Sequence, residues 1–553
     1  MEHYAHTALM DMLTTTATGP DLAEVLGPLS GQRPVADALI EGLRPIVSTL
    51  LQVTLGLGGR AAAGTVLLGQ AEEELRTSGR DLMRATLQAV VDAASAAQER
   101  VPGGVDGPDG VRRTRVEDGH TRTVATVFGR ITVDRLAYRA PHVGNVHPLD
   151  EVLDLPDGLY STGLARLSAR EAVRGSFVEA GDAVEYVTGV RIGTRQLIEL
   201  TRAAAQDVAG YYIAREVPVA GPGDALVITA DGKGIPVRPE ALRAGTAKLA
   251  AKAKQTPPCA TSGNAGGKGN SKRMAELVCV YDLAPVPRTV EDILPTRSSH
   301  ERHDGANSTD ADPQAQAKAP KAVGKWLTAS VTDDIPTVIA SGFDEATRRD
   351  PGHARDWVAL VDGNCTQIDA ITAEAAARGV EVTVLIDWLH VAGYLWDAAK
   401  AFFCTDTTAG MDKARDWVHE RSRMILHGDA GQVAERIRAR VLGSKLTAAQ
   451  SKSALDAATY LTNKAPHLDY PTALAKGWPI ATGVIEGACR HLVKDRLEIG
   501  GARWGLDTAE AILTLRATVT NGDFDDYWRH HQQQQHHRTY PATTTTSEFD
   551  IAA

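Results

Sequence analysis

Apolar residues recur at three- and four-residue spacing up to about residue 100, as in ELRTSGRDLMRATLQAVVDAASAAQER, and this period predicts helices. A Gly/Pro/Asp stretch, VPGGVDGPDG, ends the helical region. Two β-branched runs then flank Phe128-Gly129-Arg130 in RTVATVFGRITVDRLAYRAP, the pattern of a hairpin. From Ser176 the helical period returns, with Phe177, Ala180, Val184 and Val187 on one face, a Gly-bearing turn, and a second helix capped by Thr194. Such a pair reads equally as a helix-turn-helix or as a plain helical hairpin in a bundle. In the first case Arg195, Gln196, Glu199 and Arg202 lie on the exposed side of the second helix, where base edges and phosphates are reached.

Farther on the period changes to short, fully apolar runs. ALVITAD, AELVCVYDL, DWVALVDGN and VEVTVLIDWLHV read as strands buried on both faces, and they are interspersed with helical stretches such as IPTVIASGF. Strands alternating with helices predict an α/β domain with parallel members. Three of the runs end in an acid: Asp231, Asp362 and Asp387. From residue 391 to about 475 the sequence is helical throughout and interrupts the α/β pattern. A helix capped by Thr482, TGVIEGACRHLVKDRLE, follows, and then DTAEAILTLRATV, in which Asp507 and Glu510 form a capping pattern. The polar segments near 245–272 and 296–322, and the tail 530–553 with its HHQQQQHH run, have the composition of disordered chain.

These patterns divide the chain into a helical region 1–115, a hairpin plus helix-turn-helix region 116–222, a core 223–390, a helical insertion 391–478, closing core helices 479–529 and the tail. At 553 residues, two to four folding units are expected. Five scattered cysteines with no CxxC pair exclude a disulfide framework and a zinc knuckle, which leaves reduced thiols. The N-terminus lacks the basic region and continuous apolar core of a signal peptide, and no run of eighteen apolar residues occurs, so a cytoplasmic protein without membrane partners is expected. The net charge of -10 is a weak objection to nucleic-acid binding, because local clustering of Lys and Arg governs phosphate contacts.

Asp231 and Asp362 each end an apolar strand and precede Gly, in TADGKG and LVDGN. Ligands bind at strand ends in open α/β sheets, and adjacent parallel strands bring two such carboxylates together. They repel unless a cation separates them, and hard oxygen ligands favour Mg²⁺ or Mn²⁺, a pair of which suits phosphodiester chemistry. Asp-Gly is also a common turn dipeptide, so either site alone has a purely structural reading. Glu486 adds a helical acid, with Arg490 and Lys494 four and eight residues on. That spacing also describes an ordinary exposed ion pair.

The ordered set TADGKGIPV, LVDGN, IDWLH, GVIEGACRHLVKDR, GARWGLDTAEAILTLRA and FDDYW resembles the transposases of the Kra-type insertion-sequence group, over roughly residues 120 to 530. That group sits within the Mutator-like set of DDE enzymes, whose catalytic domain is ribonuclease H-like. The resemblance implies a ribonuclease H-like core with a helical insertion, and assigns Asp231, Asp362 and Glu486 as catalytic acids holding two Mg²⁺ or Mn²⁺ ions. It also implies a D-x-x-H motif, here Asp387 to His390, where His390 either contacts DNA or packs at a helix start. Arg195, Gln196, Arg202, Arg490 and Lys494 become candidates for DNA contact. Double-stranded DNA at terminal inverted repeats and at the target, and a homodimer or higher oligomer in the synaptic complex, are the implied partners. Trp388, Trp396, Trp417 and Trp504 are candidates for base stacking, although a Trp is more often core. A structure-selective nuclease of the same fold and a non-catalytic DNA-binding regulator remain alternatives.

Overall fold

The computed structural model describes residues 33–65, 67–217, 220–221, 223–248, 272–294 and 319–541. The segments 249–271, 295–318 and 542–553, which hold most of the low-complexity sequence, lie outside the described residues, as do residues 1–32. The chain divides into two compact units, one ending at Asp207 and resuming at Trp528, the other spanning Val208–Tyr527.

The first unit begins with two long helices, α1 (Arg33–Ala62) and α2 (Leu68–Ala96), which pack together. Gly42 permits their approach, since a Cβ there would lie 2.4 Å from that of Ala89. By length and composition alone, Pro34–Ala62 is apolar enough to cross a membrane. The expected hairpin is present as β1 (Arg115–Thr126) and β2 (Gly129–Arg139), antiparallel, with Val124, Ile131 and Val133 packed on Val91 of α2. Helices α3 (Thr162–Arg174), α4 (Phe177–Thr188) and α5 (Thr194–Ala205) share a second core around Leu164, Val184, Ile192 and Leu197. Helix α4 starts with a capping box between Ser176 and Glu179 and ends at left-handed Gly189. Helix α5 is different from expectation: its N-cap is Gly193, and Thr194 is already helical and caps nothing.

The second unit is mixed α/β. Its sheet comprises β3 (Ala225–Pro236), β4 (Lys272–Leu283), β5 (Ala322–Ser330), β6 (Trp357–Val361) and β7 (Val382–Ile386), in the order β5-β4-β3-β6-β7. The first three strands are antiparallel, and β6 and β7 continue from β3 in parallel. Helix α6 (Ile335–Arg349) packs on β4, where Gly342 lets Val278 approach to within 2.6 Å of where a Cβ would be. Helix α7 (Cys365–Arg378) joins β6 to β7. A helical block follows β7: α8 (Trp388–Phe402), α9 (Thr408–Leu426), α10 (Ala430–Leu442) and α11 (Ala448–Lys464). The chain returns through α12 (Gly483–Ala488) and α13 (Leu506–Asn521), the latter packed along β5.

Several local expectations give way to tertiary contacts. Strand β3 does not stop at Asp231; it runs on to Pro236 because β4 pairs with it over its whole length, Pro236 opposite Lys272. Asp507 and Glu510 do not cap α13, whose N-cap is Gly505 with no side-chain bond. Glu510 instead accepts the Val331 amide at 2.8 Å, past the end of β5. The stretch predicted as one helix from Thr482 changes to a π-helical turn over Cys489–Lys494, so the four- and eight-residue alignment of Glu486, Arg490 and Lys494 is not that of an α-helix. The tail is helical as far as Thr539, in α14 (Phe524–Thr539), where disorder was expected from residue 530. Long-range bonds hold this polar helix: His531 Nδ1 and Arg538 reach the Asp207 carboxylate at 2.6 and 2.7 Å, and the Tyr540 hydroxyl donates to Leu155 O at 2.6 Å.

Candidate metal centre

The parallel ladders set the frame. Thr229 pairs with Leu360, and Val361 with Ile386. Continuing each register past the ladder places Asp231, Asp362 and Asp387 in one row across β3, β6 and β7. Asp362 and Asp387 directly follow the last residues of β6 and β7, whereas Asp231 lies inside β3, where its buried run Ala225–Ala230 gives way to half-buried positions.

Each acid of the row has a different setting. Asp231 is half-buried; its Oδ1 accepts its neighbour Gly232 N at 2.7 Å, and its Oδ2 accepts the Cys489 thiol at 3.1 Å. Burial, followed by the charge of Asp231, pushes the Cys489 thiol far above its ordinary range. Asp362 is half-buried and accepts Asn364 N at 2.8 Å, while Asn364 caps α7. Gly363, next in the chain, is buried at φ +95°, with the Tyr460 hydroxyl 2.6 Å from where a Cβ would stand, so its backbone is closed to a phosphate. Tyr460, stacked on Tyr394 at 3.9 Å, donates that hydroxyl to Asp362 O at 3.1 Å. Asp387 is fully buried and caps α8 by accepting Leu389 N at 2.6 Å. Its other oxygen accepts Thr482 N at 2.9 Å and also the Thr482 hydroxyl. Thr482 therefore holds the N-cap position of α12, as read, but its side chain serves Asp387 and not its own helix.

Glu486 is carried to this row by a helix pinned at both ends, through Thr482 to Asp387 and through Cys489 to Asp231. Among the described residues, Asp387, His390 and Glu486 form a group whose candidate ligand atoms all lie within 4.8 Å of one another, and Asp231 and Asp362 are not in it. Glu486 and His390 are exposed and face a cleft of about 370 Å³ lined also by Leu389, Gly393, Tyr394 and Asp397. Arg490 and Lys494 are exposed on the next turn.

One acid was missed from sequence. Glu276 of β4 is 8% exposed, and burial, then the charges of Asp231 and Asp362, raise its pKa above the usual carboxylate value, against the lowering pull of Arg243. A lone acid inside the apolar run AELVCV was the available signal, since a buried polar group is more informative than an exposed one. Acids thus crowd at one end of the sheet, an arrangement whose repulsion a divalent cation relieves, and the donors are hard oxygens of the kind Mg²⁺ and Mn²⁺ take. Among the described residues, Asp387, His390 and Glu486 are close enough together to hold a metal ion.

Three of the four tryptophans considered for stacking are core: Trp388, Trp417 and Trp504 are 7%, 6% and 6% exposed, and Trp396 is half-buried. In the first unit, Arg195, Gln196, Glu199 and Arg202 are exposed on α5, with Arg195 bonded to Glu199 at 3.1 Å. Cys279, Cys365, Cys404 and Cys489 are free thiols. No family model matches this chain, and comparison with curated proteins finds no match.

Proposed function

We propose that the chain is a DDE-type DNA transposase with a ribonuclease H-like catalytic domain, which cleaves DNA at element ends and joins the released 3′-hydroxyl to target DNA in the cytoplasm. The observation that carries this reading is the shared row of Asp231, Asp362 and Asp387, with Glu486 held beside it by a helix fastened to two members of that row. A five-stranded mixed sheet with acids at one end and a helical block before the last acid is compatible with that domain.

Asp231, Asp362 and Glu486 would hold Mg²⁺ or Mn²⁺. Two such ions, when bound, supply an activated nucleophile and neutralise charge on the attacking and leaving oxygens. The protein's part is positioning. Asp387, with both oxygens taken by backbone and Thr482 donors, orients β7, α8 and α12, and His390 borders the cleft that Glu486 faces. Burial and the neighbouring charges of Asp231 and Asp362 raise the pKa of Glu276, so the crowding of acids is felt there as well.

The test is incubation of the purified protein with an element-end duplex and Mg²⁺ or Mn²⁺, followed by mapping of nicks and joined products. Both should form with metal and vanish with chelator; nicks without joining identify a structure-selective nuclease, and neither product removes the enzymatic reading. The surface of α5 is proposed to read element ends. Arg195→Ala combined with Arg202→Ala is then expected to weaken end binding by about ten-fold at moderate salt, as loss of phosphate contacts does. Unchanged affinity would leave α3 to α5 as a structural bundle.

A further inference from the structure

The helical block carries a cluster of cations and aromatic rings for which the catalytic row gives no use. Phe402 and Phe403 end α8, Trp417 and Arg421 lie one turn apart on α9, and Arg440 lies near the end of α10. The Phe402 and Trp417 rings meet edge to face at 5.6 Å. The Arg421 guanidinium sits 5.3 Å from the Trp417 ring centre, and that of Arg440 sits 4.6 and 4.5 Å from Phe402 and Phe403.

The cluster is rich in donors and poor in acceptors. Arg421 Nε and Trp417 Nε1 are buried without a hydrogen-bond partner, and Trp417 is only 6% exposed. Buried donors in folded proteins are nearly always matched, so two unmatched ones beside the guanidinium groups mark a local shortage of acceptors. Glu420 touches Arg421 Nη1 but is itself 63% exposed. Among the described residues no carboxylate pairs with Arg440, whose charge is opposed by burial and by Arg421. Two like charges held together on aromatic faces are an unfavourable arrangement in isolation, and an anion between them reverses its sign.

We propose that Arg421 and Arg440 form a seat for a backbone phosphate of bound DNA, with Phe402 and Phe403 as its apolar floor. Guanidinium groups match phosphate oxygens through paired N–H donors, and the rings fix their planes before the ligand arrives. This inference rests on the chain acting on DNA, but it concerns binding and not the metal chemistry.

The experiment measures affinity of the full-length protein for a labelled element-end duplex with single-stranded flanks, over a range of salt, in Ca²⁺ or chelator so that cleavage plays no part. Arg421→Gln and Arg440→Gln are each expected to weaken binding several-fold, with the pair reaching about ten-fold at moderate salt, and to lower the salt slope by about one per residue. Arg421→Lys and Arg440→Lys should restore most of the slope, which a purely structural loss would not do. Unchanged affinity and slope in folded glutamine variants overturns the proposal. So does displacement of the oligonucleotide by equimolar inorganic phosphate, which marks a small-anion site. Should Arg440→Gln fail to fold, Arg421→Gln and the two lysine variants still decide. Intact binding with no cleavage in the metal assay leaves this seat standing and removes the catalytic reading instead.

Discussion

Asp362→Ala is expected to eliminate Mn²⁺-dependent nicking, as are Asp231→Asn and Glu486→Gln, whereas Asp387→Ala should retain residual cleavage. The difference follows from what each carboxylate already holds. Asp387 is fully buried, and its oxygens are taken by Leu389 N and by the amide and hydroxyl of Thr482. Removing it strands those donors and unpins α12, which costs about 1–3 kcal/mol of stability and misplaces Glu486 without deleting a ligand. Asp362 spends one oxygen on Asn364 N at 2.8 Å and is half-buried, so its second oxygen is available to a cation. Losing a ligand forfeits several kcal/mol of charge stabilisation, a fall of about a thousand-fold or more in the nicking rate. End-DNA affinity should stay near wild type in the Asn and Gln variants, which conserve volume. Initial nicking rates beside thermal unfolding decide the case. The reverse pattern, with Asp387→Ala inactive and Asp362→Ala active, would move the cation to Asp387, His390 and Glu486 and make Asp362 a turn residue.

Glu345→Ala should lower the unfolding free energy by about 3–5 kcal/mol, the cost of leaving buried charges without their partner. Glu345 is completely buried on α6. Its Oε1 accepts Arg215 and Arg349 at 2.8 Å each, and its Oε2 accepts Arg348 at 3.0 Å. Arg349 continues to Asp282 of β4 at 2.8 Å, and Asp282 accepts Arg355 at 2.7 Å. Arg355 in turn donates to Asp224 O and Ala225 O at the start of β3, at 2.8 and 3.1 Å. The network therefore clamps the end of the sheet opposite the acid row. An exposed pair serves as the control: Lys452 and Asp456 are 76% and 55% exposed, and Asp456→Ala should change stability by no more than about 0.5 kcal/mol. Denaturant midpoints measure both. A loss below about 1 kcal/mol for Glu345→Ala would mean that solvent reaches the network.

Local pattern was enough for the hairpin around Phe128-Gly129-Arg130, for the existence of strands β3, β4, β6 and β7 but not β5, and for an acid at the ends of β6 and β7. Each depends on neighbours a few residues away: β-branched runs about a turn, or a short apolar run closed by an acid. Composition misled where distant partners intervened. The run after His530 has the polarity of disordered chain, yet Asp207 and Leu155 supply the bonds that order it as helix. Glu510 has the spacing of a cap and is instead drawn to the Val331 amide, a better-placed donor from a strand far back in the chain.

The site divides in the same way. Asp231, Asp362, Asp387, His390 and Glu486 were legible as candidates because each stands in a short, readable context. The sequence by itself determined which residue types could meet, and only the tertiary structure decided which of them do. Pairing across β4 carried β3 beyond Asp231 and set Glu276 near it; Tyr460 closed the space over Gly363; a π turn rotated Arg490 and Lys494 away from the α-helical alignment; and Thr482 turned from its own helix to Asp387. Periodicity records how much of each residue is buried, but not against what, and the partners that settle a carboxylate's role lie many residues away in the chain.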